Sequence, residues 1–307
     1  MAATLSKSRD GRPLVVVIDE LDRCRPSYAI ELLEVAKHLF TVDHIVFALA
    51  VNRAELAQSV RALYGASFDA KGYLRRFFDV DFRLPEVDRK AFIEATLNAI
   101  QIDDYFNRIR AWEAEQDANV ARGLLRDFFG TPALSLRRVA QALHRLGVVF
   151  ASLPNNRISF AITAVVALIV RTVDPALYHR FVRGEVSDQE VAETVFKLPG
   201  MASLRHERYG VLFEAYIIAC AHEHGNVITS ASLSEDTIDS PLLSHYWAEA
   251  EKPSDRPQDP NQSHVRHAKR VISQLDRLQL HRGASFGFKD SVERLELLST
   301  HLIEEKT

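Results

Sequence analysis

Residues 14–40 read LVVVIDELDRCRPSYAIELLEVAKHLF, and this stretch decides the fold class. The aliphatic run from Leu14 to Ile18 ends abruptly in Asp19 and Glu20, with a further acid at Asp22. A short β-favouring run closed by polar residues predicts a strand buried on both faces, as in a parallel sheet. Pro26 suits the first turn of a helix, and Ala29, Leu33, Ala36 and Phe40 recur behind it at helical spacing. In open α/β sheets, ligands collect beyond the carboxyl ends of the strands. Adjacent carboxylates there suit two tasks: one holds a hydrated Mg2+, and its neighbour orients or deprotonates an attacking water. Acids in this position also cap helices and decorate loops, so the carboxylates by themselves do not choose between the readings.

The surrounding residues narrow the choice. Ile18-Asp19-Glu20-Leu21-Asp22-Arg23-Cys24-Arg25-Pro26 resembles the Walker B segment of the KAP family of P-loop NTPases. The likeness continues through Tyr28, Glu31, Leu32, Leu33, Glu34, Lys37 and Leu39-Phe40. It returns in Ile45-Val46-Phe47-Ala48-Leu49-Ala50-Val51-Asn52-Arg53, then in Gly72-Tyr73-Leu74-Arg75-Arg76-Phe77-Phe78-Asp79 with Arg83-Leu84-Pro85. The resemblance implies Mg2+ and ATP as cofactors, with Asp19 on the metal side and Glu20 as the water-activating base. It places Asn52 where related ATPases keep a polar sensor, although KAP-like sequences often carry Asp there. An Asx cap on the helix beginning at Arg53 explains Asn52 equally well. Arg75 and Arg76 fall where an arginine finger would act, and Arg76 is the candidate. Arg138, in Ser135-Leu136-Arg137-Arg138-Val139, resembles an arginine at the start of a lid helix. Solvated surface arginines fit both positions as well.

The expected topology is incomplete. Residues 44–51 read as a second strand, 53–64 as a helix, 65–72 as a loop, and 77–84 as a third strand stopped by Pro85. The resemblance makes these the third, fourth and fifth strands of an ASCE-type sheet, whose Walker A strand lies between the last two. Yet none of the 12 glycines opens a G-x-x-x-x-G-K-[ST] loop, the nearest approach being Gly287-Phe288-Lys289-Asp290. Without that loop there is no row of backbone N–H groups for phosphate and no lysine to meet its charge. The expected fold class is therefore α/β: an incomplete P-loop NTPase (ASCE-type) parallel sheet over residues 1–86, followed by a mainly α-helical region. By itself the chain is expected to bind Mg2+-ATP weakly or not at all. The resemblance implies the downstream portion of a KAP-type NTPase, completed by an upstream Walker A segment or a protein partner. The alternative is a nucleotide-independent interaction module, a decayed or truncated relative.

From Asp88 onward the periodicity is helical, over residues 88–111, 112–129, 136–150, 158–172, 175–183, 187–198, 206–224 and 241–251. The organisation expected is a helical lid domain over 87–252, a polar, Pro-rich linker over 253–263, and a C-terminal helical segment over 264–307. Residues 158–170, ISFAITAVVALIV, are apolar but short of the roughly 18–20 residues a bilayer span needs, so they predict a core helix and no membrane span. The 307 residues are 47% hydrophobic with a net charge of -3, which argues against a disordered chain and against nucleic acid as a partner. Two cysteines, Cys24 and Cys220, offer no disulfide framework and suit a reducing cytoplasm.

Overall fold

The computed structural model describes residues 13–40, 42–108, 114–152, 159–223, 240–251, 261–282 and 291–296. The chain divides into two compact units, residues 1–85 and 86–307.

In the first unit, β1 (Leu14–Asp19) is followed by a 3-10 turn (Leu21–Arg23), α1 (Pro26–Lys37), β2 (Ile45–Ala50) and α2 (Arg53–Tyr64). The strands pair in parallel, in a register from Leu14↔Ile45 to Asp19↔Ala50, and α1 is the crossover that such pairing demands. Leu14, Val16 and Ile18 alternate with Val15, Val17 and Asp19, and only the first set is shielded. Ile18 and Leu49 pack on a core of Leu21, Ala29, Ile30, Leu33, Leu56, Ala57 and Val60, so α1 and α2 cover one face. The other face leaves Val15 55%, Val17 68% and Val46 50% exposed. The expectation of a strand buried on both faces is thus corrected. The apolar run is legible, but an unbroken run does not say how many layers cover it.

Gly65 closes α2 at φ 102°, a left-handed conformation that costs glycine little. Asp69 then caps α3 (Ala70–Leu74), which leads into a 3-10 turn, Arg75–Phe77. Tyr73 of α3 donates to the Glu34 carboxylate of α1 at 2.7 Å. Burial first, and then Glu34, push this phenol well above its ordinary pKa, which keeps it a donor. The third strand expected over 77–84 does not form. Among the described residues the sheet has two strands, and Val80, Phe82 and Leu84 are 66%, 88% and 94% exposed. Alternating apolar residues make a strand only where a neighbour accepts their ladder bonds, and neither strand of this sheet pairs with them.

The second unit is helical. Asp88 caps α4 (Arg89–Ala99), and the chain breaks at Gln101 (φ 53°) before α5 (Ile102–Arg108), where the periodicity predicts a single helix over 88–111. Then come α6 (Ala114–Phe129), α7 (Leu136–Ser152), α8 (Ser159–Val173), α9 (Pro175–Val182), α10 (Asp188–Phe196), a 3-10 turn (Ser203–His206), α11 (Arg208–Glu223), α12 (Pro241–Ala250) and α13 (Asn261–Arg282). Residues 291–296 are helical, and residues 283–290 and 297–307 of the expected C-terminal segment lie outside the described residues. Most of the 253–263 linker also lies outside them, and α13 starts at Asn261 rather than His264. Ala161 to Val170 of α8 are all buried, surrounded by α6, α7, α9 and α11. No helix among the described residues is long and apolar enough to cross a membrane.

One ionic knot ties α11 to its neighbours. Glu214, wholly buried, accepts from Arg205 Nε at 2.9 Å and faces His267 Nε2 of α13 at 2.7 Å. Burial opposes the Arg205 charge, but Glu214 and the Tyr246 hydroxyl together hold the guanidinium above its ordinary range.

Candidate functional site

The parallel register brings the carboxyl ends of β1 and β2 side by side, Asp19 opposite Ala50. The loops that leave the two strands are therefore held at one end of the sheet. After β1 the chain turns sharply at Glu20, with φ 57° and ψ 25°. A non-glycine residue in this left-handed region costs about 1–2 kcal/mol. The strain is held by local bonds: the Glu20 N–H donates to Asp19 Oδ1 at 2.7 Å, and the Glu20 carbonyl accepts from the Arg23 N–H at 3.0 Å. Buried Leu21 pins the turn to the core below.

The side chains above that anchor are accessible. Glu20 pairs with Arg23 at 2.9 Å, both more than half exposed, an ion pair worth little beside water. Its carboxylate is therefore easily released to another partner. After β2, Asn52 caps α2 by accepting the Ala54 N–H at 3.0 Å. Asp22 completes the cluster, accepting the Asn52 backbone N–H at 3.2 Å across 30 residues of sequence. In the sequence, Asp22 reads equally as a local ion-pair or helix-start residue and as a nucleotide contact. The tertiary contact has no sequence signal beyond an acid at the turn.

Arg76 and Arg138 are engaged elsewhere. Arg76, exposed, lies over the Tyr73 ring with its guanidinium carbon 4.7 Å from the centroid. Arg53, at the start of α2, lies over Phe78 and pairs with Asp81. Arg138 belongs to the second unit, in the first turn of α7, where its N–H donates to the Ser135 hydroxyl at 3.3 Å. The structure thus bonds the turn that follows Asp19 and Glu20 to Asn52 by way of Asp22, and leaves the two arginines on separate elements.

No group of three or more His, Cys, Asp or Glu among the described residues could by itself hold a metal. The donor set fits a different style of metal. Mg2+ keeps most of its waters and takes one or two carboxylates, with phosphate oxygens completing its shell. Asp19 fits that role: Oδ1 is occupied by the Glu20 N–H, and the second oxygen remains to accept a metal-bound water.

In open α/β sheets, ligands bind beyond the carboxyl ends of the strands, where these acids gather. Residues 1–149 match the family model of the KAP family P-loop domain. The match runs beyond the sheet-bearing unit into α7 and includes Asp19, Glu20, Asn52, Arg76 and Arg138. Comparison with curated proteins and with solved structures gives no match.

Proposed function

We propose that this chain carries the metal and base side of an ASCE-type, Mg2+-dependent ATPase site, completed by a Walker A-bearing segment or a protein partner. The observation that carries the reading is the placement of Asp19 and Glu20 at the carboxyl end of β1, in register with the end of β2. In this reading Asp19 would hold Mg2+ through one of its waters, and the bound metal would supply neutralising charge at the phosphates. Glu20 leaves Arg23 and takes the proton of a water that attacks the γ-phosphorus, while ADP departs. Asn52 orients that water, Arg76 leaves Tyr73 to act on the γ-phosphate, and Arg138 opens a helical lid that senses the nucleotide. The helices over 87–252 then pass hydrolysis to an effector. Two cysteines, Cys24 and Cys220, in 307 residues fit a cytoplasmic setting.

The test is hydrolysis by the chain joined to, or co-expressed with, a Walker A-bearing segment. Glu20→Gln should keep nucleotide binding and lose turnover by about a hundredfold or more, because an amide cannot take the proton. Asp19→Asn should instead weaken Mg2+-dependent binding itself. An inert assembly, or one indifferent to both substitutions, would sink the reading.

A second reading, a nucleotide-independent interaction module, is favoured by the lack of a G-x-x-x-x-G-K-[ST] loop in these 307 residues. Under either reading the chain by itself should hold Mg2+-ATP weakly or not at all. Calorimetric titration giving micromolar affinity would contradict this and demand another phosphate cradle.

A further inference from the structure

We infer that Asp22 is a positioning residue that clasps the turn carrying Glu20 to the end of β2 carrying Asn52. The inference rests on the reading of Asp19 and Glu20 as the metal and base residues. Its geometry stands apart from that reading.

Asp22 is half-buried, one residue beyond Leu21, whose side chain is sunk in the first unit's core. It sits in the 3-10 turn and sends its carboxylate away from its own chain neighbours. The Asn52 N–H it meets is the N-cap amide of α2, with no partner inside that helix. An acid there answers both the orphan donor and the positive end of the helix.

The clasp matters because of its two flanks. On one side stands Glu20, in a left-handed conformation, with a carboxylate held only by an exposed ion pair to Arg23. On the other stands Asn52, its own side-chain oxygen spent on Ala54. Leu21 anchors the turn in the core from below, but the tips of the two loops need a tie of their own. Asp22 supplies that tie, so Glu20 and Asn52 address one water as a unit. Base catalysis is steep in such placement, since small displacements of a positioned group cost large factors in rate.

The reading predicts which chemical property of Asp22 matters. The clasp rests first on an acceptor oxygen, and the charge adds only the smaller helix-end contribution. Asparagine retains that oxygen, and alanine does not. A role as a direct metal ligand would need the charge, and the two substitutions would then fail alike.

The first arm measures hydrogen exchange in the full chain, at the Asn52 amide, with folding verified by circular dichroism. Asp22→Ala should speed exchange about tenfold, whereas Asp22→Asn should stay within about threefold of the parent. The second arm uses the assembly that hydrolyses ATP. There Asp22→Ala should lower kcat about tenfold with KM unchanged, and Asp22→Asn should restore most of it. Unchanged exchange in Asp22→Ala would overturn the clasp. Equal loss of turnover in both variants would overturn positioning in favour of metal contact. If the parent assembly is inert, the ATPase reading and the catalytic role of Asp22 fall together, while exchange still decides the clasp.

Discussion

Glu214 is a residue whose removal the second unit would feel strongly. It stands wholly buried in the apolar middle of α11, between Arg205 and His267. Breaking a buried pair from one side leaves the other charge without compensation, at about 3–5 kcal/mol. Glu214→Ala should therefore destabilise the second unit by that amount in urea titration. A loss below about 1 kcal/mol would show that water reaches Arg205 readily. Glu214 also marks where sequence reading stops. The string YGVLFEAYIIACA announces a buried helix with one acid in it, but its partners lie 9 and 53 residues away. Asp19 and Glu20 are legible for the opposite reason, since a strand and its end are written contiguously. Asp22 is visible as an acid and invisible as a clasp, because its partner is 30 residues on.

At the scale of elements, helices are easier to read than their neighbours. Caps such as Asp88, Asp174 and Ser187 stand beside the runs they start, and each accepts the N–H groups expected of it. The strand expected over 77–84 fails because a strand depends on a neighbour that local pattern does not name. Helix junctions hide a similar dependence. Gly210 sits in the first turn of α11 against the 3-10 turn before it, and a Cβ there would meet the Leu204 carbonyl oxygen at 2.0 Å. Alanine normally improves a helix over glycine by roughly 0.5–1 kcal/mol. Here the clash is with backbone and outweighs that gain, so Gly210→Ala should destabilise the second unit by about 1–3 kcal/mol. Differential scanning calorimetry would check the sign. A raised Tm would mean that the turn yields at no cost. The displaced helix carries Glu214 one turn further on, so Gly210→Ala and Glu214→Ala should be non-additive.

Across the whole molecule, each unit keeps its own core. The larger cluster draws all its buried residues from between Ile93 and Leu295, the smaller from between Leu21 and Phe77. Between them the chain offers Phe82 and Leu84 almost fully to solvent. Brief chymotrypsin treatment should cut there first and leave a helical fragment of the second unit that still unfolds cooperatively. Early cleavage within α8 or α11, or a fragment that melts without a transition, would contradict separate cores.

The bare face of the two-stranded sheet has a colloidal consequence. Leu14 to Ile18 carries no charge and no proline, and its outward valines stand beside Val46. Uncharged β-branched segments of this length favour intermolecular sheet stacking. The nearest electrostatic check is the acidic edge at Asp19 and Glu20, whose repulsion reaches only about 8 Å at physiological salt. The first unit expressed by itself would thus lose solubility as concentration and ionic strength rise, and the acids proposed for catalysis would also act as its gatekeepers against aggregation.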